Sequence, residues 1–159
     1  MRNEGERDML KECVDLKKNK MHTPSSDGLR LGDFIWIGGQ YPIDPMTSEM
    51  ADMDIRAQTE QAMKNVIAAL RKYELETCHI MHTTIYMTDI SQYDAMNEVY
   101  ASFFHDCFPT RSVVGVKELP HHAMIEIECN ALDTRALEVL CSEDDDKENT
   151  ACCSKGICE

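Results

Sequence analysis

From Ala123 to Leu132 the chain alternates without a break. Ile125, Ile127, Cys129 and Ala131 fall on one side, and Met124, Glu126, Glu128 and Asn130 fall on the other. A period of two over this length specifies a strand with one buried face. Upstream, Ser112 to Lys117 is short and β-branched. The intervening Leu119-Pro120-His121-His122 reads as a loop, because proline has no N–H to donate to a ladder. Together Phe108 to Leu132 read as a β-hairpin. Two features go beyond packing. Arg111 stands at the mouth of the first strand, directly after Pro109-Thr110. Glu126 and Glu128 share one face, where neighbouring carboxylates repel unless solvated or paired, so at least one needs a defined partner.

The rest of the chain supplies the other elements. Residues 1–22 form a charge-rich N-terminal extension. Met9, Cys13 and Leu16 are spaced for a short amphipathic helix too small to be stable alone, and a disordered extension is the leading expectation. The body spans residues 23–137. Gly32-Asp33 predicts a turn before the β-rich Phe34-Ile35-Trp36-Ile37, and Gly38-Gly39 at that strand's end predicts a bulge or a close backbone approach. Asp52 or Asp54 can cap a helix running from Ile55 to Tyr73. His79 to Thr88 reads as a strand, with Met81, Ile85 and Met87 on one side. A second helix follows, with Met96, Tyr100, Phe103 and Phe104 as its buried stripe and Asn97 one step off it. The order ββ-α-β-α-ββ predicts an α+β fold, one mixed sheet with both helices on one face. The other face then carries bulk from the Phe34–Ile37 run and the strand in the 80s, and association would cover it.

Charge and cysteine usage bound the function. The net charge is −13, of which −5 falls from Glu138 onward in an acidic, cysteine-containing tail, residues 138–159, expected to be disordered. So acidic a chain, with no basic patch, disfavours nucleic acid as a partner. No run approaches the ~18 apolar residues of a membrane span. The first residues lack the apolar region of a secretory signal, and Gly156 stands where a prenylation motif needs cysteine; a cytoplasmic location is the expectation. The eight cysteines are then expected to be reduced thiols, with Cys129 a core residue. Cys152-Cys153-x4-Cys158 lacks the paired spacing of a zinc site, so no metal is assigned. His79 and His82, like His121-His122, are left out of the catalytic set.

Pro109-Thr110-Arg111-Ser112, Leu119-Pro120 and Ile125-Glu126-Ile127-Glu128 resemble the C-terminal signature of the RidA/YjgF family. The likeness runs back through Asn97, Asp54-Ile55, Gly39-Gln40 and Gly32-Asp33, covering roughly residues 23 to 134. The resemblance implies a homotrimer of the YjgF-like, chorismate-mutase-like fold. It also implies hydrolysis of reactive 2-imino or 2-enamino acids to 2-keto acids and ammonia, with no metal or organic cofactor. Arg111 would clamp the substrate carboxylate and Glu126 would position the attacking water, with Gly39, Asn97 and Ser25 lining the pocket. One departure stands out. The family's Gly-Pro-Tyr-Ser-Gln aligns with Thr23-Pro24-Ser25-Ser26-Asp27, so Ser25 replaces a pocket tyrosine and Asp27 a glutamine.

The residue types suit these roles. A guanidinium is a planar fork that suits a carboxylate and is a poor proton shuttle, whereas a glutamate can hold water or take a proton. The structural alternative for Arg111 is a salt bridge to Glu126 or Glu128. Two other functions remain: a non-enzymatic binder of small carboxylates or chaperone-like protein, and a ribonuclease or translation inhibitor, which the charge disfavours. Hairpin register bears on the pocket. If Glu118 faces Ala123, Arg111 lies opposite Asn130 and Glu126 opposite Gly115, about 13 Å apart along the ladder. That separation predicts a cleft between neighbouring chains, with part of the wall, Ser25 or Asn97, coming from the next chain.

Overall fold

The computed structural model describes the backbone of Glu12–Val14 and all of residues 25–105 and 107–135. In chain order the elements are β1 (Glu12–Val14), β2 (Gly28–Leu31), β3 (Phe34–Gln40), α1 (Ile55–Arg71), β4 (Ile80–Met87), α2 (Tyr93–Ala101), β5 (Thr110–Gly115) and β6 (Ile125–Leu132). Their sheet runs β1-β2-β3-β6-β4-β5, antiparallel throughout except for the parallel β4–β5 pair.

This order corrects the hairpin. β5 and β6 do not touch as partners, because β4 lies between them, paired to β5 on one edge and to β6 on the other. Arg111 stands opposite Thr83, not Asn130, and Glu126 stands opposite Tyr86, not Gly115. The physical reason is the helix between β4 and β5. A strand, a helical crossover and a second strand make a parallel pair, and this claims the inner edge of β5 before β6 is reached. The segment from Val116 to Met124 is then a crossover, turned by Pro120–His122, with His121 and His122 both left-handed at φ 61° and 59°.

The first hairpin forms as expected, with Gly32 in the left-handed region (φ 59°) where its turn requires it. Glu12–Val14 adds a short strand to β2, pairing Cys13 with Leu29, so this part of the extension is neither helical nor detached. The remainder of the extension and the tail lie outside the described residues.

Both helices cover one face. Asp54 caps α1 by accepting from the Ala57 amide at 3.0 Å. Ala62, Met63, Val66 and Leu70 of α1 and Met96 and Tyr100 of α2 meet Ile35, Ile37, Ile85, Met87, Ile125, Ile127 and Cys129 in one continuous core. On the opposite face Phe34 and Trp36 stack on each other at 6.0 Å and remain exposed. Met81 does not join the core as alternation suggested. The β4–β6 register slips between Ile80 and His82, leaving Thr83, Ile85 and Met87 inward and Met81 half exposed.

One buried polar contact ties the layers together. Gln58, fully buried on α1, accepts the Met124 amide at 2.8 Å just ahead of β6. Gln58→Ala leaves that amide unpaired beside a new void and should cost about 2–4 kcal/mol in a denaturant titration with the slope unchanged.

Candidate functional site

The residues singled out from sequence fall largely into two clusters, and the sheet lies between them. The first is built around Arg111. Because it pairs directly with Thr83, its side chain leaves on the helix-bearing face and runs onto α2. The guanidinium lies 4.7 Å from the centre of the Tyr100 ring and 5.7 Å from that of Tyr93, and donates to the Tyr93 hydroxyl at 2.9 Å. Tyr100 is itself anchored, its hydroxyl bonded at 2.8 Å to the buried Thr83. Tyr93, Asn97 and Tyr100 follow one another at i, i+4 and i+7, so Asn97, half-buried, shares the stripe that carries Arg111. Among the described residues Arg111 forms no ion pair. The salt bridge to Glu126 or Glu128 is not made, because both acids leave β6 on the other face.

The second cluster is acidic. Glu126 and Glu128 are half-buried on the helix-free face, beside Tyr86. Tyr86 donates to Glu128 at 3.2 Å, and Tyr41, on the same face as Gly39, is coupled to the Glu126 charge. A bulge in β3 creates this cluster. Ile37 pairs with Cys129 and Gln40 with Ile127, so three steps on β3 match two on β6. The extra residue reverses the phase of the strand. Gln40 turns inward, 5% exposed, while Gly39 and Tyr41 turn toward Glu126. Gly39 then serves a definite purpose, since a Cβ there would occupy the space of the Glu126 carboxylate. Asp27, Tyr41, Pro45 and Asn65 complete a shallow depression beside Gly39.

The electrostatics follow from this crowding. Burial, and then the Glu128 charge, push the Glu126 carboxyl above its ordinary range, while the Tyr41 bond pulls it back. Burial first, then the Glu126 charge and hydrogen bond, push Tyr41 up to about 12. On the other face burial raises Tyr100, opposed by its bond to Thr83 and by the Arg111 charge.

Of the five residues singled out from sequence, Gly39 and Glu126 come together on the open face and Arg111 and Asn97 on the helical face. Ser25 is exposed ahead of β2. Asn97 lies on the same helix face as the two tyrosines that hold Arg111. The four tyrosines were missed as polar partners. Tyr93 and Tyr100 could have been found from their helical spacing around Asn97, but nothing local marks Tyr41, whose direction depends on the bulge.

A two-layer α+β protein with a glycine-backed glutamate on one face and a tyrosine-cradled arginine on the other is the class these observations define. The sequence profile of the family described as Endoribonuclease L-PSP matches residues 17–133. A RutC family protein of Pyrococcus horikoshii is 39% identical over 108 residues, covering 68% of this chain and 86% of the relative. The yjgF gene product of E. coli superposes with a TM-score of 0.70 at 32% identity, covering 76% of this chain and 96% of its own, and E. coli TdcF, solved with bound serine, does so with 0.70 at 31% identity over 76% and 96%. The chain belongs to the RidA/YjgF family, also called the RutC or L-PSP family.

Gly39→Ala should separate site from scaffold. Its φ is not left-handed and the clash is with the far end of a flexible side chain, so Glu126 swings away at little cost. The melting temperature should stay within about 3 °C of wild type, while a phenol absorbance titration shows the Tyr41 midpoint moving down from about 12 as the Glu126 carboxylate moves away.

Proposed function

We propose that this protein hydrolyses reactive 2-imino and 2-enamino acids to 2-keto acids and ammonia. The observation that carries the reading is Arg111, a half-buried guanidinium mounted on two tyrosines with no acid paired to it among the described residues. A planar cation held this way suits a carboxylate that arrives with a ligand. TdcF, a structural neighbour solved with bound serine, shows that a relative of this fold accepts a small molecule bearing an α-carboxylate.

The chemistry needs little more than positioning. The enamine tautomer first takes a proton on carbon to become the iminium. Glu126, raised in its proton affinity by burial, holds water against C2 and takes its proton as the new C–O bond forms. That proton passes to nitrogen, the C–N bond of the carbinolamine breaks as its hydroxyl gives up its proton to Glu126, and ammonia and the 2-keto acid leave. No electrons enter or depart. Gly39 keeps the carboxylate close to the bare main chain, Asn97 assists Arg111, and Ser25 forms an outer wall.

Arg111 and Glu126 of one chain are separated by the sheet, so the complete site is assembled from two protomers of a homotrimer. The exposed Phe34 and Trp36 on the Glu126 face give the neighbouring chain something to bury. The hairpin register that first pointed to a shared cleft is replaced here by the opposite faces of the two residues. A second reading is a non-enzymatic carboxylate binder of the same fold. It is favoured by Ser25 where the family signature has tyrosine, because that change opens the pocket. Ribonuclease action is disfavoured by the −13 charge.

A coupled assay, with an amino-acid dehydratase generating imine in situ, separates enzyme from binder by the rate of keto-acid release. Arg111→Lys keeps charge and loses the fork, so turnover should fall more than about tenfold with assembly intact. Near-wild-type release would remove Arg111 from the clamp. Mixing Arg111→Ala chains with Glu126→Gln chains after reversible dissociation should restore about a quarter of wild-type activity, the share of clefts that receive both intact halves. No recovery in demonstrated hybrids would place the whole pocket in one chain.

A further inference from the structure

Tyr41 has no part in the reaction as written above, yet its surroundings fix it more firmly than a surface aromatic needs. Its main-chain carbonyl accepts from the Asn65 amide nitrogen at 2.8 Å, and the same nitrogen reaches the Ile43 carbonyl at 2.8 Å, fastening the segment after β3 to α1. Asn65 is itself held by Gln61 at 2.9 Å and is only 6% exposed. On the outer side the His121 ring meets the Tyr41 ring edge-on at 5.6 Å, from a loop whose two histidines are both left-handed. The β3 bulge sends Tyr41 to the same face as Gly39, over which the Glu126 carboxylate lies, and phenol and carboxylate influence one another's charge. A main chain clamped from α1, a ring braced by the crossover and a carboxylate held over the glycine two residues back place the phenol beside one acid.

We propose that Tyr41 is a positioning residue for Glu126: its hydroxyl donates to the carboxylate, fixes it over Gly39, and sets how readily it takes a proton. The proposal rests on the deaminase reading only for its consequence in turnover. The other titratable groups around this carboxylate are Glu128 on β6, Tyr86 on β4, Asp27 ahead of β2 and His121 in the crossover. Glu128 opposes ionisation of Glu126, and the Tyr41 hydroxyl is the donor that favours it. Removing that donor therefore raises the midpoint of Glu126. In turnover the acid limb moves to higher pH, because Glu126 must be ionised to accept the proton of water.

Tyr41→Phe keeps the ring, the His121 contact and both Asn65 bonds, and deletes only the hydroxyl. Carboxyl-labelled glutamate allows the titration to be followed by NMR, with Glu126→Gln assigning the signal. The Glu126 midpoint should rise by about one pH unit in Tyr41→Phe. The acid limb of turnover should move by the same amount, with kcat reduced several-fold and KM within about twofold of wild type. An unchanged midpoint overturns the proposal. The titration needs no substrate, so wild-type protein that fails to release keto acid sinks the deaminase reading and leaves this result standing. Should Tyr41→Phe fold poorly, Glu126→Gln gives the reciprocal measurement. The tyrosine titrating at about 12 should then shift downward in phenol absorbance, and no shift there also overturns the proposal.

Discussion

The architecture depends on the rule that successive side chains of a strand leave on opposite faces. Along β6 that rule sends Ile125, Ile127, Cys129 and Ala131 into the core and Glu126 and Glu128 out of it. Along β5 it sends Arg111 toward α2. Glu126 cannot change face without moving Ile125 and Ile127, and Arg111 cannot without taking Val113 off the core, so the core fixes their separation. Cys129, 2% exposed, shows how fully that side excludes water, and burial pushes its thiol up to about 12. Among the described residues the rule is broken at two register slips: between Ile80 and His82, where Met81 turns outward, and between Ile37 and Gln40, where one inserted residue turns Gly39 toward Glu126.

The elements were largely legible in the sequence because each is an amphipathic pattern with local punctuation. Asp54 before α1, Gly32 in the first turn and the alternation of β6 each need only their neighbours to be read. Strand pairing was not legible in the same way. Val113 and Ile127 are compatible with a hairpin, and only the helical crossover between β4 and β5 excludes it. Met81 was misassigned for a related reason, since a register slip leaves no mark in the residue types around it. Within the site, Arg111, Glu126, Gly39 and Asn97 stood out through the family resemblance, and the structure sorts them into two pairs. Tyr41 and Tyr86 escaped because a tyrosine in a strand or loop reads equally well as packing. What singles them out is the carboxylate each one meets across the sheet.

Placing β6 between β3 and β4 also shapes how the chain must fold. Phe34 and Leu132 stand opposite one another although nearly the whole described body separates them in sequence. On a ribosome, β3 and β4 emerge first, each with a free inner edge and with Ile35, Ile37, Ile85 and Met87 waiting for their cover. Neither edge closes until the segment that follows β5 has left the exit tunnel. The sheet is therefore completed by its centre rather than by its rim, a route of high contact order in which loop closure precedes most of the stabilising burial. Until that strand arrives, the nascent chain displays unpaired apolar edges of the kind that recruit chaperones or aggregate.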